Sequence, residues 1–264
     1  MNRRNFVKAS LVTGAISPMS TLSAATGSDF QKSGQQYYEL RTYLLKTAEQ
    51  EQIVSDYVEK ALLPAANRNG IKQVGFFKEM NATEQPKLVL LLVSENMDAL
   101  VNLPSKLDAD NLYKKAAEVY LSKPATDPAY ARIESSLLRA FTKMPKLVAP
   151  PLKSRIFELR RYESHNEAAA AKKIGMFNDL GEIDIFKRVG LTPVFFGETI
   201  FGGFRPNLTY MITFDDMAEH DANWKVFGSD PEWKKISSVP EYKDALIVSK
   251  ITRTFLSPLP FSQV

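Results

Sequence analysis

The chain has 264 residues, no cysteine and two histidines, with 44% hydrophobic and 24% charged residues and a formal net charge of +4. That is the composition of an ordinary globular protein, long enough for one large domain or two small ones. The lack of cysteine excludes disulfides, thiolate metal sites and a cysteine nucleophile, and His165 and His220 have no metal-binding spacing, so neither a metal nor another cofactor is expected.

The first residues set themselves apart. Arg3-Arg4-Asn5-Phe6-Val7-Lys8 has the order of a twin-arginine export signal. An apolar run from Ala9 to Leu22 follows, interrupted by Pro18, and is too short and polar for a stable membrane span. Ser23-Ala24-Ala25 offers small residues for cleavage. Residues 1–25 are therefore expected to be a signal peptide, 26–36 a flexible linker, and the periplasm the destination. Cleavage would remove Arg3, Arg4 and Lys8 and no acid, so the net charge falls from +4 to +1. No nucleic-acid footprint remains.

The next element is a strand that occurs twice. Tyr37-Tyr38-Glu39-Leu40-Arg41-Thr42-Tyr43 returns 119 residues later as Ile156-Phe157-Glu158-Leu159-Arg160-Arg161-Tyr162. A helix follows each copy. The first is capped by Thr47, with Ile53, Tyr57 and Ala61 on one face, and stops at Gly70. The second carries Ile174, Phe177 and Phe186 and stops at Gly190. From there the spacing holds at 120: Val74 with Val194, Pro86 with Pro206, Met97 with Met217, Asp110 with Asp230. Both copies close on Arg-x-Phe, Arg139 to Phe141 and Arg253 to Phe255, at a spacing of 114. Six extra residues in the first copy, within Ser122 to Tyr130, account for the difference. Each copy reads βαββαβ. The expected fold is α+β: two tandem ferredoxin-like units, 37–145 and 154–264, joined by a Pro-rich linker at 146–153 and forming one intrachain α+β barrel.

Alternation divides the repeated strand. Tyr38, Leu40 and Leu44 share one face, and Glu39, Arg41 and Tyr43 the other; Phe157 and Leu159 oppose Glu158, Arg160 and Tyr162. The apolar face is expected on the helices. The charged face is then expected to look into the space between the halves, where two Glu-Arg-Tyr sets would meet. They serve there either as salt bridges fixing the interface or as a polar pocket with Arg as anion clamp and Tyr as donor. On the second reading Glu39, Arg41, Tyr43, Glu158, Arg160 and Tyr162 are the candidate ligand-binding residues. No catalytic set is assigned. Arg139 and Arg253 fall either in the same interior or at its edge.

Further on, Trp224-Lys225-Val226-Phe227 and Asp230-Pro231-Glu232-Trp233 complete a pattern that resembles the NIPSNAP family. The first copy looks like a diverged version, with Leu103, Leu107 and Tyr113 at the places of Trp224, Phe227 and Trp233. The family commonly has an Arg shortly before the first Trp; His220 stands near that place here. The resemblance spans about Tyr37 to Phe255 and implies a dimeric α+β barrel fold, with no catalytic residues to carry over. Physically, Asp230 and Pro231 suit a helix start, and the aromatics suit core packing or a pocket wall. The expected function is binding of a small molecule in a polar pocket between the halves. The alternatives are a cofactor-poor oxygenase or isomerase, with a haem variant on His165 or His220, and a non-catalytic interaction protein that associates with itself or a partner.

Overall fold

The structure, a computed structural model, describes residues 34–82 and 85–264. The expected signal peptide and most of the linker after it lie outside the described residues. Gly34–Val264 forms one compact unit.

Eight strands build it: β1 (Tyr37–Leu44), β2 (Gln73–Glu79), β3 (Lys87–Ser94), β4 (Arg132–Ala140), β5 (Ile156–Glu163), β6 (Thr192–Phe201), β7 (Asn207–Phe214) and β8 (Lys250–Pro258). They close into an antiparallel barrel in the order β1-β3-β2-β8-β5-β7-β6-β4, and β4 returns to β1. The first four strands and the last four each form a continuous run. The runs meet along β2–β8 and β4–β6. Closure leaves no open edge.

Helices cover the outside. In the first half, α1 (Ala48–Tyr57) runs through a π-helical turn (Val58–Leu62) into α2 (Leu63–Arg68). Four short helices follow β3: α3 (Met97–Val101), α4 (Leu103–Ala109), α5 (Asn111–Ala116) and α6 (Glu118–Leu121). In the second half, α7 (Glu167–Asn178) and α8 (Glu182–Arg188) precede β6. After β7 come α9 (Met217–Ser229), α10 (Pro231–Ser238) and α11 (Asp244–Ile247).

The expected stops and starts form. The Thr47 side chain accepts from Gln50 N, and Gly70 and Gly190 end their helices with φ of 88° and 82°, where a side chain would be strained. Two details differ. Val54 rather than Ile53 is buried beside Tyr57 and Ala61. The second-half helix is broken at Gly181, φ 89°, which puts Phe186 on α8.

Burial divides into layers. Tyr43, Tyr57, Phe76, Leu88, Leu90 and Leu92 pack between the first sheet and its helices. Tyr162, Phe177, Phe186, Phe196, Tyr210 and Phe227 do the same in the second half. A third cluster fills the lumen: Tyr38, Phe77, Leu91, Leu138, Phe157, Phe195, Met211 and Leu256, with Leu40 and Leu159 against them. The residues after β8 lie along β2, where Gln263 N donates to Val74 O. Val264 and Leu147 stop that end of the lumen.

This layering reverses the expected faces of the repeated strand. Tyr38, Leu40, Phe157 and Leu159 face the lumen, and Glu39, Arg41, Tyr43, Glu158, Arg160 and Tyr162 lie outside, under the helices. The cause is room and partners. An eight-stranded lumen is just wide enough for side chains to fill it, and at this level it offers only hydrocarbon from Val89, Leu91 and Met211. The helix layers supply hydrogen-bonding groups that a buried ion needs.

Candidate functional site

Two polar regions follow from this arrangement, one on each side of the sheet.

The first is the pair of Glu-Arg-Tyr strips, which do not meet. Each lies under its own helices. On β1, Arg41 Nε and Nη2 donate to Glu39 Oε1 at 2.8 and 2.6 Å, and Nη1 donates to Tyr43 Oη at 3.2 Å. Burial raises the Tyr43 hydroxyl pKa, partly offset by Arg41. On β5 the partners differ. Glu158 is fully buried. Its Oε2 accepts from Trp224 Nε1 at 3.0 Å and lies 3.3 Å from His220 Nε2. Arg160 Nη1 lies 3.6 Å from Glu158 Oε1, and its guanidinium stacks 4.2 Å from the Trp224 ring. Tyr162 and Tyr210 hydroxyls are 3.4 Å apart.

Sequence reasoning missed two members of this second layer. Lys173 on α7 is almost wholly buried, 3.6 Å from Glu182 and 3.3 Å from Asp244. Burial pushes Glu182 up to about 7, although Lys173 pulls it down. The usable signal was a lone Lys173 on the apolar face shared by Ile174 and Phe177.

His220 sits edge-on against Phe214 and Phe255, with centroids 5.0 and 5.1 Å away, and its Nδ1 is 2.8 Å from Asp221 Oδ1. Both nitrogens face carboxylates, and rings close the space an axial ligand needs, so His220 does not suit haem. His165 is exposed at the start of α7. Among the described residues no group of His, Asp and Glu is placed to hold a metal ion, and no helix is long and apolar enough to cross a membrane.

The second region is the other end of the lumen. There the inward side chains turn from apolar to hydroxylic. A cavity of about 220 Å³ is lined by Thr42, Ser136, Thr199, Thr209, Thr252 and Thr254 over a floor of Leu40, Val89 and Leu159. Every strand but β2 contributes, so both halves build it. At the rim Arg161 Nε donates to Glu163 Oε1 at 3.0 Å, Nη2 lies 2.9 Å from the same oxygen, and the guanidinium lies 4.1 Å from the Phe204 ring. Asn207 holds the β6–β7 turn there: its Nδ2 donates to Gly203 O and Phe204 O, and its Oδ1 accepts from Thr199 Oγ1. Thr252 Oγ1 is buried with no hydrogen-bond partner. A polar cavity between the halves is therefore present, but Arg161 and the hydroxyls line it, not Arg41 and Arg160. Arg139, ion-paired to Glu198 at 2.9 Å, and Arg253 are exposed and do not line it.

The fold and this two-sided sheet define the class: an α+β protein whose eight antiparallel strands close into one barrel. Residues 157–263 match the model of the NIPSNAP family. No curated protein matches the chain. Among solved structures, a candidate monooxygenase of Fusobacterium nucleatum superposes with a TM-score of 0.55 at 10% identity, over 85% of this chain and 93% of its own. A candidate monooxygenase of Lactobacillus acidophilus gives 0.53 at 11%, over 85% and 94%. An anthrone oxidase-like protein gives 0.51 at 7%, over 85% and 92%. At these identities the likeness is one of fold.

Proposed function

We propose that this is an exported binding protein that takes a small polar molecule into the hydroxyl-lined end of the barrel lumen, between its halves. The observation that carries the reading is the cavity itself, lined from both halves with one buried threonine hydroxyl unpartnered. A buried polar atom without a partner costs about 1–3 kcal/mol, which a ligand hydroxyl or a water would recover. At about 220 Å³ the cavity is smaller than the roughly 300–1,000 Å³ of drug-sized sites, so the ligand is smaller too. In this reading 37–145 and 154–264 are tandem ferredoxin-like units, and pairing their bare sheet faces creates the lumen.

The test is mass spectrometry of the protein purified under native conditions without added ligand. The expected result is a bound mass in the wild type, lost in Thr254→Phe, whose ring would enter the cavity from β8 beside Leu159. A wild type with no bound mass, or equal retention in a folded variant, would overturn the reading.

A second reading is a cofactor-poor oxygenase or isomerase. It is supported by the fold shared with two candidate monooxygenases along 85% of the chain. Oxygen uptake with hydroxylated aromatic substrates is its check, and no uptake above the protein-free rate removes the oxygenase form.

A further inference from the structure

Arg155 lies just ahead of β5, at the plugged end of the barrel, and lines two cavities there. Its side chain keeps only 7% of its surface exposed. A charge so buried needs its hydrogen bonds met by the protein or by something bound to it. Nη1 donates to the Thr213 hydroxyl at 3.3 Å. Nε is buried with no hydrogen-bond partner. Nη2 has an ionic contact to Asp215 Oδ1 at 3.8 Å, beyond hydrogen-bond reach. The other oxygen of Asp215 is taken by Lys153 at 2.6 Å. The Nε–Nη2 edge thus makes no hydrogen bond, whereas the same edge of Arg41 holds Glu39. Native interiors leave few such groups, and an unmet N–H donor calls for an acceptor.

The two cavities differ in charge. The one toward β7 and α9, about 280 Å³, has Asp215 and Glu219 in its wall. The other, about 380 Å³, is lined by Lys153 and Arg155 and by no Asp or Glu. The Val264 oxygen in that wall accepts from Ser262 Oγ at 2.9 Å. Much of the remaining wall is proline: Pro150 and Pro151 from the linker, Pro258 and Pro260 where β8 ends. The volume falls within the roughly 300–1,000 Å³ of small-molecule sites. A guanidinium fork among rigid apolar walls matches an organic anion, with a carboxylate for the fork and an apolar body for the prolines.

We propose that this 380 Å³ cavity binds a small organic carboxylate, which accepts hydrogen bonds from the free edge of Arg155. The site lies at the end of the barrel that Leu147 and Val264 stop, away from the hydroxyl-lined end. It does not rest on the reading given for that other end.

The test is calorimetric titration of the full chain with benzoate and with its neutral counterpart benzamide, at constant ionic strength. The expected result is saturable binding of benzoate, with benzamide weaker by about tenfold, the loss of a charged hydrogen-bonded contact. Arg155→Gln is expected to remove that preference. Asp215 is 58% exposed, and Asp215→Asn is expected to tighten benzoate and leave benzamide unchanged, because it removes the acid that competes for Arg155 and Lys153. A folding defect cannot produce that gain, so this variant decides the matter if Arg155→Gln does not fold. The proposal is overturned if the wild type binds benzoate no better than benzamide, if a folded Arg155→Gln keeps the preference, or if Asp215→Asn binds benzoate no more tightly than the wild type.

Discussion

Glu39 and Glu158 occupy the same place in the repeat and differ in burial. Glu39 and Arg41 keep 16% and 18% of their side chains exposed, whereas Glu158 keeps none. Removing Glu158 strands the Trp224 indole N–H and the Arg160 charge, so Glu158→Ala is expected to cost about 3–5 kcal/mol. Glu39→Ala loses charged hydrogen bonds that water partly replaces, at about 1–3 kcal/mol. Urea unfolding of the two variants measures this, and equal losses would contradict the assigned burial. Glu182 supplies a pH test. Its carboxyl rises from an ordinary value near 4.5 to about 7 through burial. The folded state therefore holds a proton that the unfolded chain releases earlier. The stability this gives is complete below pH 4.5 and is lost as pH rises through about 7, a change of a few kcal/mol. Glu182→Gln is expected to flatten the fall in melting temperature between pH 5 and 7.5; an unchanged slope would remove Glu182 as its source. The sequence showed that Glu158 and Arg160 stand side by side on one strand face. It did not show Lys173 and Glu182 closing the same layer, because that contact joins α7 to α8 across the break at Gly181.

The two halves correspond most clearly element by element. Asp110 caps α5 through Leu112 N and Tyr113 N and accepts from Arg68; Asp230 caps α10 through Glu232 N and Trp233 N and accepts from Arg188. All of these positions correspond at a spacing of 120, with the Arg and Asp identical in both halves. The same joint thus ties a helix end before the second strand to a helix start before the last strand in each half. Asp110→Ala and Asp230→Ala are each expected to cost about 1 kcal/mol through the lost cap. The joints belong to different helix layers, so the double variant should lose the sum to within about 0.5 kcal/mol; chemical denaturation reads both. A double-variant loss far from the sum would show that the joints are coupled. Elements of this kind were legible because caps and glycine stops are local. The facing of the repeated strand was not. Here β3 is apolar along nearly its whole length, and both β3 and β7 are buried on both sides, so alternation in β1 and β5 separates two faces without saying which one the helices cover.

At the scale of the described residues, eight strands close one barrel, and the closure leaves one end of the lumen plugged and the other polar. Val264, Leu147, Phe157 and Phe195 fill the plugged end. Threonines from β1, β6, β7 and β8 line the other. The sequence implied a shared polar interior from two facing sheets, and a polar cavity between the halves is there. It did not show which side chains line that cavity, because Thr42, Thr209, Thr252 and Thr254 are scattered over three strands and form no motif. This cavity is the proposed ligand site. The measurement that tests it most directly is a high-resolution crystal structure of the protein purified without added ligand. The expected result is continuous non-water density between Thr42, Thr209 and Thr252, reaching toward Arg161 at the rim. Isolated waters alone, or a lumen filled by rearranged side chains up to Phe204, would contradict it.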